Sequence, residues 1–414
     1  MSADAAPLHA FSGYGIELEY MIVDRERLSV LPVADRLLRA ASGTGGYEVE
    51  HGLMGWSNEL VLHVIEVKNL RPSAALESLA ESFRTEVGMI NAMLEPLGAC
   101  LMPGAMHPWM DPHTETRLWP HQNQAVYQAY DRIFNSRGHG WANLQSMHIN
   151  LPFADDREFA RLHAAVRLVL PLIPALAASS PFADGRDSGY ADYRMEVYRH
   201  NADMVPSIAG LVVPETVSTR AEYQQHILEP MYRDIAPFDA EQVLRHEWLN
   251  SRGAIARFDR NAIEIRVVDT QENPGADLAL AAAISDVVRR LYESDELAAQ
   301  QAPGTEALAA ILRDCIRDAD EAVITDAQYL RLLGCADAQC SAAQLWRHLL
   351  QPLLADSEPA APWKAALETV LEHGPLARRI RRAAQAGGPR NGLEQAYRRL
   401  CDCLAHGRAF LPEA

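Results

Sequence analysis

At 414 residues with 48% hydrophobic positions, the chain can fill one large α/β unit plus a smaller helical part, and neither disorder nor a fibrous repeat fits that composition. The formal net charge of −17 argues against nucleic acid or an anionic membrane surface as a partner of the whole protein. Anionic substrates would have to be met by locally concentrated arginine. Residues 1–11 lack a basic stretch followed by an apolar run and a cleavage site. The most apolar stretch, 162–180, carries Arg167 and is broken by Pro171 and Pro174, which makes it a buried helix rather than a membrane span. Cys100, Cys315, Cys335, Cys340, Cys401 and Cys403 are scattered and lack zinc-knuckle spacing, so they read as reduced, packed thiols in a cytoplasmic protein.

In chain order, the first predicted strand is 14–23, where Glu17 and Glu19 share one face and Ile16, Leu18 and Tyr20 the other. A second, 59–69, begins at Glu59 and sets Glu66 among Val64, Ile65 and Val67. A helix with one apolar stripe follows over 73–97. The third strand, 146–151, puts His148 and Asn150 opposite Met147, Ile149 and Leu151, and leads into a second helix over 156–178. The loop 178–194 is rich in Gly, Asp and Ser, and its Arg186, Tyr190, Tyr193 and Arg194 are donors suited to a carboxylate or phosphate. A helix over 220–232 precedes the fourth strand, 262–269, where Glu264 and Arg266 face away from Ile263, Ile265 and Val267. Beyond about residue 270 the pattern changes to Ala-, Leu- and Arg-rich helices, interrupted at 302–305 and 356–362. The arginine-rich run 378–382 reads as a packing or dimer surface. The fold class is α+β with one polar sheet face and no internal repeat.

A single half-buried strand normally points its charges at water. Four such strands would place Glu17, Glu19, Glu66 and Glu264 as like charges on one sheet face, which is destabilising unless cations hold them together. A hard divalent cation such as magnesium, with oxygen ligands and positions left open for phosphates, is the economical answer, whereas zinc would call for more histidine or thiolate. No H-E-x-x-H helix, P-loop lysine, dinucleotide fingerprint or nucleophile elbow is present.

These pieces, GIELEYMIVD (15–24), HVIEVKN (63–69), AASSPFADGRDSGYADYR (177–194) and ARFDRNAIEIRVVDTQ (256–271), together resemble the glutamate–cysteine ligase and carboxylate–amine ligase family of the glutamine synthetase-like superfamily. The resemblance covers 12–295, taken as the catalytic domain, and leaves 296–414 as a helical C-terminal region. It implies a partly open antiparallel sheet with helices on its outer face, holding ATP and magnesium, with manganese as the alternative ion. The implied metal ligands are Glu17, Glu19, Glu66, His148 and Glu264, with Glu59 added. Asn150 and Arg266 would face the transferring phosphoryl group and bind the nucleotide with Arg257, while Arg186, Tyr193 and Arg194 would hold an amino-acid substrate. The implied reaction is ADP-forming amide synthesis through an acyl phosphate, with glutamate joined to cysteine or another amine. Asn150 stands where many carboxylate–amine ligases carry a second histidine, and SMHINLPF is closer to the H-x-N strand of bacterial glutamate–cysteine ligases. The competing classes are a metal-dependent amide hydrolase and a non-catalytic nucleotide- or metal-binding member of the fold. The expected partners are small amino-acid substrates and a second copy in a homodimer.

Overall fold

The computed structural model describes residues 7–43, 45–355, 363–388 and 391–411; the predicted break at 356–362 lies outside them, as does part of the 1–11 segment. An open, wholly antiparallel sheet organises the chain. Its strands are β1 Gly15–Asp24, β2 Val49–His51, β3 Met54–Asn58, β4 Val64–Asn69, β5 Ala99–Met102, β6 Ser146–Pro152, β9 Ala254–Arg257 and β10 Ala262–Asp269, with β7 Phe182–Ala183 and β8 Arg186–Asp187 forming a separate small hairpin. The order is β2-β3-β4-β1-β6-β10-β9, and β5 pairs with the end of β1. The α+β class and the partly open sheet therefore stand as expected.

One face of this sheet is apolar because the even positions of β1 (Ile16, Leu18, Tyr20 and Ile22) align with Ile65, Val67, Ile149, Ile263 and Ile265, all fully buried. Helices Glu77–Leu94, Asp156–Val169 and Pro274–Glu293 contribute to the same core through Phe83, Val87, Ile90, Phe159, Leu162, Leu280 and Ile284. The predicted helix 156–178 starts where Asp155 accepts a hydrogen bond from the Glu158 backbone N–H at 2.9 Å, and Pro171 converts it to a 3₁₀ turn, Leu170–Leu172, before Ile173–Ala177 resumes. Residues 156–177 are apolar and long enough to span a membrane, but 94% of the most apolar window is buried inside the fold.

The opposite face divides in two. Met21 and Val23 are packed under Met102, Tyr397, Leu400 and Phe410, so the helices Leu376–Ala386 and Gly392–His406 close one end of it. The Glu17 and Glu19 side of β1 is left as a polar face, and Glu19 lines a cavity. The arginines of 378–382 are tied within the chain: Arg378 to Asp320, Arg379 to Glu272, Arg381 to Asp187 at 2.7 Å, and Arg382 to the His373 carbonyl.

The predicted strand 59–69 is shorter than its apolar run suggested. Only Val64–Asn69 pairs in the sheet, while Val61 bridges to Leu118 and the Leu62 N–H donates to the Arg117 carbonyl. Glu59 thus lies in the connection after β3, not on a strand. The predicted helix 220–232 contains a π turn, Gln224–Leu228, between Arg220–Tyr223 and Glu229–Ile235.

Candidate active site

Strand register assembles the polar face. Glu17 stands opposite both Lys68 and His148, Glu19 opposite Glu66, and Asn150 opposite both Gly15 and Glu264. His148 Nδ1 lies 3.2 Å from Glu17 Oε2 and 3.6 Å from Glu264 Oε1, and Asn150 Nδ2 donates to Glu17 Oε1 at 3.2 Å. Glu264 is shared by two guanidinium groups, Arg257 Nη1 at 3.1 Å and Arg266 Nε at 3.0 Å. Glu66 pairs with Lys68 and accepts a hydrogen bond from the Ser57 hydroxyl at 2.7 Å. The Glu19 carboxylate accepts from the backbone N–H and the hydroxyl of Ser146, at 2.7 and 3.1 Å.

The electrostatics follow from crowding. Burial would raise the Glu17 carboxyl, but the hydrogen bond and charge of His148, with Lys68 and Arg260 behind it, outweigh burial and hold it well below the usual range. Glu59 and Glu66 go the other way. Burial, then the charges of Glu19 and Glu66, push the Glu59 carboxyl well up, and burial with the Glu17 charge raises Glu66 despite Lys68. Burial disfavours the charged form of His148, yet Glu17 and Glu264 still raise its pKa.

Among the described residues no three such groups stand clustered as a metal ion would need them, because several of the carboxylates are engaged by Lys68, Arg257, Arg266 and His148. The donor chemistry nevertheless fits a hard cation. Five carboxylates and one imidazole meet on one wall, and the upward shift that burial and neighbouring carboxylates impose on Glu59 and Glu66 is opposed by positive charge beside them.

A cavity of about 450 Å³ opens on this wall, lined by Glu19, Glu59, Ser146, His148, Arg194 and Arg266 together with Tyr127, Tyr130, Trp141, Tyr198 and Trp248. Of the residues expected to hold substrate, Arg194 reaches it. It follows Asp192, which caps helix Tyr193–Tyr198, and its Nε donates to the buried Asp269 at 2.5 Å. Arg186 lies outside the lining, with a side chain 79% exposed and 3.8 Å from Asp184. Tyr193 also lies outside it, half-buried between Tyr190 and His139. Arg257, Glu17, Glu66, Glu264 and Asn150 belong to the sheet face that continues beyond the lining.

Sequence reasoning passed over Lys68 and Ser57. Lys68 was detectable, since it is two residues from Glu66 on the same strand face. The aromatic wall was not, because residues 127–141 and 248 come together only through tertiary packing.

A family model described as glutamate–cysteine ligase family 2 matches residues 14–404. A protein of Archaeoglobus fulgidus whose name assigns no function is 36% identical over 314 residues, covering 74% of this chain and 84% of its own. A Bradyrhizobium sp. (strain ORS 278) relative with the provisional name glutamate–cysteine ligase 2 is 26% identical over 290 residues, 69% of this chain and 63% of its own. Two solved structures share the fold. A bifunctional glutathione synthetase from Pasteurella multocida aligns with a TM-score of 0.64 at 12% identity, over 96% of this chain and 53% of that one. The glutamate–cysteine ligase of Francisella tularensis in complex with AMP aligns with a TM-score of 0.59 at 11% identity, over 97% and 90%. The chain therefore matches less than two thirds of the Bradyrhizobium relative and about half of the Pasteurella enzyme.

Proposed function

The chain belongs to glutamate–cysteine ligase family 2 and is an ATP-dependent carbon–nitrogen ligase; from that premise we propose that it joins the γ-carboxylate of glutamate to cysteine or another amine through an acyl phosphate. A carboxylate oxygen attacks the γ-phosphorus of ATP, the bond to the β,γ-bridging oxygen breaks, and ADP leaves. The amine nitrogen then attacks the acyl carbon, the carbon–oxygen bond to phosphate breaks, and the nitrogen's proton passes to phosphate or water.

The observation that carries this reading is the single wall on which Glu17, Glu19, Glu66, His148 and Glu264 surround Asn150 and Arg266, with Glu59 at its margin and a cavity directly against it. Arg266 and Asn150 stand where charge develops on the transferring phosphoryl oxygens, with Arg257 steadying the nucleotide. Arg194 orients the substrate carboxylate, and Arg186 and Tyr193, outside the cavity lining, are the remaining donors for the substrate. Glu17, Glu19, Glu59, Glu66, His148 and Glu264 are the residues that would hold magnesium or manganese, whose charge neutralises the phosphates. The setting is the cytoplasm, where ATP is supplied and the six free cysteines stay reduced. The partners are amino-acid-sized molecules and a second copy of the chain.

The test is magnesium-dependent ADP and phosphate release with L-glutamate across an amine panel including cysteine, with mass spectrometry of the products. A γ-glutamyl amide is expected. Amide cleavage without ATP would make the protein a hydrolase, and tight nucleotide binding with no turnover would make it a binding module.

A further inference from the structure

The cavity is more aromatic than a glutamate and a cysteine require. Five rings line it, and they brace one another: Tyr130 lies 5.0 Å from Trp141 and 6.1 Å from Trp248 between ring centroids. Leu60, Val61, Val64, Val126 and Leu144 complete the apolar surface. At about 450 Å³ it falls within the ~300–1,000 Å³ range of sites that enclose whole small molecules.

Its cations are largely committed. Arg194 is bound to Asp269, and Arg266 to Glu264 and to the Asn250 carbonyl, so little of either guanidinium is left beyond what the carboxylate of one substrate would take. Among the described residues no other arginine or lysine lines the cavity to receive a second. Two buried oxygens of the lining, Tyr198 Oη and Asn201 Oδ1, have no hydrogen-bond partner among the described residues. An amine N–H satisfies such acceptors; a carboxylate does nothing for the Asn201 oxygen. Glu17, Glu66, Asn150 and Glu264 extend the polar face outside the lining, which leaves the nucleotide a place other than the aromatic wall.

We propose that this cavity is the acceptor subsite and that its ligand is an amine with an aromatic or comparably bulky apolar body and no carboxylate of its own, an arylalkylamine rather than cysteine. The inference rests on the ligase reading above. The bonds made and broken are unchanged; only the nucleophile is specified. Its body packs on Tyr130, Trp141 and Trp248, and its nitrogen is held by Tyr198 and Asn201 beside Arg266.

The experiment measures ADP release and product mass with ATP, magnesium and L-glutamate, using 2-phenylethylamine, L-cysteine and hydroxylamine as acceptors. Hydroxylamine intercepts an acyl phosphate and carries no body to recognise. The expected result is a γ-glutamyl phenylethylamide formed with kcat/KM at least tenfold above that for cysteine. Trp248→Ala should lower the ratio of phenylethylamine to hydroxylamine kcat/KM at least tenfold, with Tyr130→Leu as the second variant. Hydroxamate formation from hydroxylamine, together with a kcat/KM for cysteine equal to or above that for phenylethylamine, would overturn the inference and leave the ligase reading intact. A Trp248→Ala effect on the KM for ATP instead of the amine would assign the rings to the base and overturn it too. No ADP and no hydroxamate with any acceptor would overturn the ligase reading, and the inference with it.

Discussion

Glu17 is held by donors and cations on several sides: His148 and Asn150 approach from β6, Lys68 stands opposite on β4, and Arg260 lies 3.8 Å away. Glu17→Gln removes that charge without changing shape, and Arg266→Ala removes the guanidinium that lines the cavity. Each is expected to lower glutamate-dependent ADP release by roughly 100-fold or more, with an unchanged circular dichroism spectrum. Near-wild-type rates in both would sink the site assignment. A second residue-scale effect lies in the core. Burial lowers the pKa of His63 and His107 to about 4 and of His163 to about 3. These imidazoles are neutral when folded but protonate near 6.5 when unfolded, so the unfolded chain binds more protons and stability is lost as pH falls from about 6.5 towards 4. His163 sits among Phe159 and Tyr223 with an unpaired Nε2. His163→Phe should remove its share of the loss, so that melting at pH 4.5 rises relative to pH 7.5; a parallel shift at both pH values would refute this.

At the scale of an element, β10 decides the geometry of Arg266 and its neighbours. Between Ile265 and Val268 its register against β6 slips by one residue, so Asp269 comes opposite Ser146 rather than opposite Gln145. Simple alternation from Glu264 puts Asp269 on the apolar side; the bulge delivers it to Arg194. The bulge is held by Gly253, whose carbonyl accepts the Arg266 N–H at 2.8 Å and whose missing side chain leaves room for Val267. A Cβ there would lie 2.5 Å from Val267 Cγ1 and 3.0 Å from Val212 Cγ1. Gly253→Ala should therefore cost about 1–3 kcal/mol in denaturant melts and reduce turnover through Arg266. An unchanged midpoint with full activity would show that the strand yields freely.

Across the whole molecule, the helices beyond residue 295 are built into the same core as the sheet. Tyr329 Oη donates to the Leu168 carbonyl at 2.6 Å, Trp346 Nε1 donates to the Leu172 carbonyl at 2.9 Å, and the main cluster of buried side chains runs from Tyr14 to Leu404. The buried Arg379–Glu272 pair adds a contact whose rupture leaves an uncompensated charge. A chain ending at residue 295 should thus lack a cooperative unfolding transition, measured by calorimetry. A sharp transition would show that 12–295 folds alone as a catalytic domain.

Taken alone, the amino-acid sequence determined the polar face, because period-two alternation in β1, β4, β6 and β10 assigns Glu17, Glu19, Glu66, His148, Asn150, Glu264 and Arg266 to one side without knowledge of strand order. Alternation is a local property and stops where strands stop pairing. Placing Glu59 off the strand, aligning Lys68 with Glu17, turning Asp269 towards Arg194 and drawing Tyr130, Trp141 and Trp248 into one wall depended on strand register, a bulge and long-range packing, which only the folded chain sets.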